Sequence, residues 1–211
     1  MKKFFYIFLV ILKNVNKYGY YNIFKIIFFE IIYNIKYFDF KSNFYEDNKT
    51  NTYLETRKLK FYNTPYSPTP YYYLFLINRL FKEKKIFNYV FLDFGCGAGR
   101  VLFFFKKKFF KLIGIDLNKD YKKFFDKEKI VFKNLNLRKK STFNYVKKIK
   151  KNKCFYFYEP FDKHLVMKYI KNMKTNDYVV IINLNIILKK NFSEIFKKKI
   201  KKKKILIYKK N

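Results

Sequence analysis

From Tyr89 to the C-terminus, short apolar runs alternate with segments of helical pattern, and this order constrains the fold more than any other feature of the chain. The spacing predicts strands over 89–94, 111–116, 130–135, 154–158 and 178–183. Helices are predicted over 99–108, 119–127 and 161–173. Strands that alternate with helices in this way build a mostly parallel sheet through right-handed crossovers, with helices covering both faces. A last strand is expected over 205–208, and the lysine runs around it read as a solvated edge.

Upstream, Thr69-Pro70 has the chemistry of a helix start, with Thr as N-cap and Pro at the first helical position; the apolar run through Phe81 supplies the helix. Residues 38–60 are polar and irregular, with a turn at Glu46-Asp47-Asn48. Residues 20–35 are apolar apart from Asn22, Lys25, Glu30 and Asn34, whose spacing makes a helix with one narrow polar stripe. The apolar run from Phe4 to Leu12 is too short to span a bilayer, which takes about 20 residues, and no A-x-A-like cleavage site follows it. Residues 1–35 therefore read either as helices packed on the domain or as a basic, aromatic anchor in peripheral contact with a membrane. Residues 1–63 are expected to be a helical and irregular extension, and 64–211 the main domain.

The chain carries 49 basic and 15 acidic residues, a net charge of +34, which suits a nucleic acid or an anionic surface as partner. Only Arg57, Arg79, Arg100 and Arg138 are arginines, however, and recognition of phosphate favours the arginine fork. Lys, Phe, Tyr, Asn and Ile are the residues of A- and T-rich codons, so the excess of Lys reads first as the bias of an AT-rich genome. Two isolated cysteines and one histidine give no metal-ligand pattern, and a reduced, cytoplasmic setting fits them.

Against that bias, one short stretch stands out. Three of the chain's five glycines, Gly95, Gly97 and Gly99, fall in LDFGCGAGR, directly after the strand that holds Asp93. Glycines in such a turn permit positive φ and let a ligand approach the backbone N–H groups beyond the strand ends. A dinucleotide fingerprint would need glycine where Arg100 stands, and the phosphate-cradling G-x-x-x-x-G-K-[ST] loop is absent. An acid at the strand end suits a cationic ligand better than a pyrophosphate. Asp116, in GIDLN at the end of the next strand, is placed to accept from ribose hydroxyls.

These two motifs at this spacing resemble those of the class I S-adenosylmethionine-dependent methyltransferases, over roughly Thr64 to the C-terminus. The resemblance implies a three-layer, Rossmann-like α/β sandwich and S-adenosyl-L-methionine as cofactor. It implies that Asp93, Gly95, Gly97 and Gly99 hold the methionyl end and that Asp116 holds the ribose. Where family members often carry an acid near the adenine amino group, this chain has Asn136, whose side-chain carbonyl can accept the same bond. YNTPYSPTP resembles a segment that precedes the first motif in some bacterial methyltransferases of undefined substrate and in relatives of protein-lysine methyltransferases. It puts Tyr66 forward as a cover for the sulfonium, beside the alternative of a plain helix-initiating turn. After the fourth strand, where some members carry Asn-Pro-Pro-Tyr or Asn-Pro-Phe, stand Glu159, Pro160 and Phe161.

Glu159 is a candidate to orient or deprotonate an acceptor, or else a cap on the following helix. Phe161 is a candidate lining of the acceptor slot, and His164 reads as a surface residue. The expected reaction is methyl transfer to an N or O acceptor, with protein lysine, RNA and small molecules all open. The competing expectation is a non-catalytic basic protein that binds RNA or a membrane surface. The intact Asp93, Gly95, Gly97, Gly99 and Asp116 speak against decay of the cofactor site.

Overall fold

The computed structural model describes residues 20–37, 69–125, 129–158, 162–183, 186–188, 191–200 and 203–211. Their helices are α1 (Tyr20–Tyr37), α2 (Tyr71–Glu83), α3 (Arg100–Phe105), α4 (Lys140–Lys148) and α5 (Lys163–Lys171). The strands are β1 (Val90–Phe94), β2 (Lys111–Asp116), β3 (Ile130–Asn134), β4 (Lys153–Tyr158), β5 (Tyr178–Ile182), β6 (Phe192–Ile200) and β7 (Lys203–Lys210). They form one seven-stranded sheet in the order β3-β2-β1-β4-β5-β7-β6. The first five strands run parallel; β7 is antiparallel to both β5 and β6.

The strands β1 and β5 are buried at every position, as expected of parallel strands covered on both faces. On one face Phe91, Tyr156, Val180 and Ile207 pack under α2 and α3 together with Phe81, Phe105 and Phe109. On the other, Leu92, Phe94, Ile113, Phe155 and Ile181 pack with Val146 of α4 and with Val166, Tyr169 and Ile170 of α5. The architecture is the three-layer sandwich expected. The helix α1 joins the first face: Ile23 is buried, Phe29 packs on Tyr72, and the Tyr33 ring stacks on Tyr71 at 5.3 Å.

The structure departs from the sequence expectation at five places. Thr69 does not cap α2. Pro70 holds the N-cap position, and the Thr69 hydroxyl instead bonds the Tyr156 hydroxyl at 2.8 Å. The segment expected as a helix over 119–127 is a 3₁₀ turn, Lys119–Phe124, started by Asn118, whose side chain accepts from the Asp120 N–H. The final strand is longer than 205–208 and lies inside the sheet, because β6 forms the edge beyond it. No pattern in the sequence marks that edge strand, because an irregularity in its pairing between Glu194 and Phe196 breaks the period-two alternation. The helix α4 is likewise unmarked in the sequence: only Thr142 and Val146 are buried along it, so its apolar signal is thin.

Candidate functional site

The carboxyl ends of β1 and β2 lie side by side, with Asp93 opposite Gly114 and Phe94 opposite Ile115. The glycine turn continues this pairing for one more step: the Gly95 N–H donates to the Ile115 carbonyl at 2.8 Å. The chain then turns through left-handed conformations at Gly95 (φ 72°), Gly97 (φ 51°) and Gly99 (φ 85°) before α3 begins at Arg100. Left-handed turns at Asn176, Asn183 and Asn191 use asparagine instead. Positive φ alone therefore does not account for the glycines here, since this chain meets that demand with asparagine elsewhere.

For Gly99 the additional demand is steric. A Cβ on it would lie 2.4 Å from Cε1 of Phe125. The Phe125 ring in turn stacks on Phe103 and Phe132, at 5.6 and 5.2 Å between centroids. Gly114 has the same role under the turn: its Cβ would meet Cys96 Sγ and Leu102 Cδ1, both at 2.7 Å. The turn is thus pressed against β2 by close packing.

Two carboxylates converge on this turn in different states of satisfaction. Asp116 accepts from the Gly97 N–H through Oδ2 and from the Asn118 N–H through Oδ1, each at 2.9 Å. Burial pushes its carboxyl above the usual range, and those N–H bonds pull it back. Asp93 is 3% exposed, and its Oδ2 has no hydrogen-bond partner among the described residues. Burial first, and then the Asp116 charge, pushes the Asp93 carboxyl well above its ordinary value. Burial likewise raises the Cys96 thiol, with Asp116 and Asp93 adding to the shift, so Cys96 is a packing residue rather than a nucleophile.

Arg100, which stands where a dinucleotide fingerprint wants glycine, leaves the turn altogether. Its guanidinium is 2.8 Å from Glu30 Oε2 on α1 and lies over the Tyr71 ring. The other Glu30 oxygen accepts from the Tyr71 N–H at 2.7 Å, at the start of α2. One carboxylate in the apolar α1 thus ties three helices together beside the turn. A cation in the first turn of α3 opposes the helix dipole, and the Glu30 charge offsets that penalty. A signal for this pair was present in the sequence: a lone acid in an apolar helix, and a rare arginine in the motif.

No family model matches the sequence, and no curated protein matches it. Among solved structures, an S-adenosylmethionine-dependent methyltransferase from Anabaena variabilis is similar over 64% of this chain and 84% of its own, with 13% identity and a TM-score of 0.50. A hypothetical protein from Thermus thermophilus is similar over 69% and 90%, with 10% identity and a TM-score of 0.52. The chain has a methyltransferase-like α/β fold.

Within that fold, Asp93, Gly95, Gly97, Gly99 and Asp116 come together at the carboxyl ends of β1 and β2. Asn136 follows β3 at the same end of the sheet. Its side-chain carbonyl accepts from the Arg138 N–H at 2.9 Å, in an Asx turn that leads into α4. Tyr66, Glu159, Pro160 and Phe161 lie outside the described residues. The cap of α5 is Asp162, whose carboxylate accepts from the His164 N–H, and His164 itself is exposed.

The residues present fit a nucleoside sulfonium with an amino-acid tail. A carboxyl buried without a partner on one oxygen calls for a cation or a donor. Each Asp116 oxygen, with one N–H already bound, keeps a lone pair for a hydroxyl.

Proposed function

We propose that this protein binds S-adenosyl-L-methionine at the carboxyl edge of β1–β3 and transfers its methyl group to an N or O acceptor. The observation that carries this reading is the unpartnered Oδ2 of Asp93, buried beside a left-handed glycine turn in a methyltransferase fold. When bound, S-adenosyl-L-methionine supplies an electrophilic methyl group on a cationic sulfur.

The residues of the chain bind and orient. Asp93 and the N–H groups of the turn would hold the methionyl end, Asp116 the ribose hydroxyls, and Asn136 the adenine amino group through its remaining lone pair. Asp116 also accepts from Gly97, so the residue assigned to the ribose stiffens the turn assigned to the methionyl tail. Binding of one end would therefore favour the other. Displacement at a good leaving group needs position more than acid–base machinery, which agrees with a site built from two carboxylates and a backbone turn. Glu159, the next residue after β4, is proposed to orient the acceptor or take its proton, with Pro160 and Phe161 shaping the slot and Tyr66 covering the sulfonium.

Support at the level of fold comes from the Anabaena variabilis methyltransferase. The acceptor class is open among protein lysine, RNA and small molecules. The test is to incubate cell extract with a donor labelled in its methyl group and to separate protein, RNA and small molecules. Label should enter one fraction with the wild type, and none with Asp93→Asn or Gly97→Arg. Equal labelling by the variants, or no labelling in any fraction, would overturn the reading.

A further inference from the structure

The helix α1 has two apolar faces, and among the described residues only one is used in packing. Its inner side carries Ile23, Phe29 and Tyr33 into the core and fixes Glu30 to Arg100 and Tyr71. Its outer side carries Tyr21, Phe24, Phe28 and Ile31, spaced by three and four residues so that they line one stripe. These four side chains are 72%, 71%, 60% and 53% exposed, and Ile32 beside them is 42% exposed. Single exposed hydrophobics are ordinary on protein surfaces; an unbroken stripe of them along a rigidly held helix marks an interaction surface.

The chemistry around the stripe narrows the partner. Lys25 Nζ lies 4.1 Å from the Tyr21 ring centroid. Lys198 of the edge strand β6 reaches over Tyr72, on the helix packed against α1. The whole chain carries +34. Two copies would bring that charge together, which opposes pairing through the stripe. The aliphatic Ile31 and Ile32 offer nothing to a phosphate or a base edge, whereas the acyl boundary of a bilayer accepts them. Among the described residues no helix is long and apolar enough to cross a membrane, so α1 fits a surface position rather than a spanning one.

We infer that the outer face of α1 lies in the interfacial layer of an anionic lipid bilayer, with Lys25 and Lys198 against the headgroups. The bilayer-bound helix is the one that holds Arg100, next to the glycine turn, so docking sets the orientation of the carboxyl edge relative to the membrane. This inference does not depend on the methyl donor.

The full chain should sediment with vesicles of phosphatidylcholine and phosphatidylglycerol and far less with phosphatidylcholine alone. Replacing Phe24 and Phe28 by Ser should lower partitioning by about tenfold or more, with thermal unfolding unchanged because both side chains are exposed. Replacing Lys25 and Lys198 by Glu should weaken binding and flatten its dependence on salt. Any of three results would overturn the inference. The serine variant could bind vesicles as the wild type does, neutral vesicles could bind equally well, or the stripe could prove a contact between copies or with RNA. The last would show as a dimer that the serine variant dissociates, or as RNA binding lost with vesicle binding intact.

Discussion

Gly99→Ala tests the packing of the glycine turn separately from any ligand. Two costs add. A left-handed backbone at φ 85° costs an L-residue about 1–2 kcal/mol. The new methyl would also lie 2.4 and 2.5 Å from Cε1 and Cζ of Phe125 and 3.3 Å from Cε2 of Phe103. Optimal carbon contacts are about 3.5–4.0 Å, so the ring would have to move by about 1 Å or more. Phe125 is 3% exposed and held between Phe103 and Phe132, within 3° and 12° of parallel, so it has little room to yield. Overpacking of this kind costs about 1–3 kcal/mol. The total is about 2–5 kcal/mol, or about 4–20 °C in Tm for a chain of this size.

Urea unfolding of the wild type, Gly99→Ala, Phe125→Leu and the double variant separates the two costs. Leucine lacks the two clashing ring atoms, so in its background Gly99→Ala should cost only the backbone part, about 1–2 kcal/mol. A single variant within about 0.5 kcal/mol of wild type would refute the steric account, as would an equal cost in both backgrounds.

The two carboxylates and the ion pairs give further expectations. The raised Asp93 carboxyl contributes stability that is present below the ordinary carboxylate value and is lost as pH rises through its folded value. The stability of Asp93→Asn relative to wild type should therefore improve from acid to neutral pH in thermal scans, while titration shows donor affinity down by about tenfold or more. A variant whose relative stability does not change with pH would contradict this. Glu30→Ala leaves the buried Arg100 without its 2.8 Å partner and should cost about 2–4 kcal/mol, since Glu30 is a quarter exposed. Hydrogen exchange of the α1 amides should quicken with it, and unaltered exchange would count against the three-helix tie. At the amino end of β4, Asp177 pairs with the buried Lys153 Nζ at 3.4 Å and accepts from the N–H groups of Lys153 and Lys174. Asp177→Ala should cost about 3–5 kcal/mol in urea unfolding, and adding Lys153→Met should restore part of the loss.

Much of the parallel half of the sheet was legible in the sequence because its strands are apolar runs punctuated by turns: 111–116 was read to the residue, and 130–135, 154–158 and 178–183 to within one. The edge was not. The irregular pairing in β6 and the lysine runs of β6 and β7 hide the alternation that marks a strand. Asp93, Asp116 and the glycines could be located because their spacing follows from two neighbouring strand ends. The reason for Gly99 could not, since Phe125 is distant in sequence and meets it only through tertiary packing. In the sequence Arg100 shows only as an absent glycine, and its partner Glu30, 70 residues earlier, as part of a polar stripe. Side-chain pairs across such a separation leave no periodic trace.

Isothermal titration of S-adenosyl-L-methionine into the full chain tests the central claim most directly. The expected result is saturable binding that Asp116→Ala weakens and Asp93→Asn weakens by about tenfold or more. Absence of binding at millimolar ligand, or equal affinity in all three proteins, would contradict the assignment of this strand edge to the methyl donor.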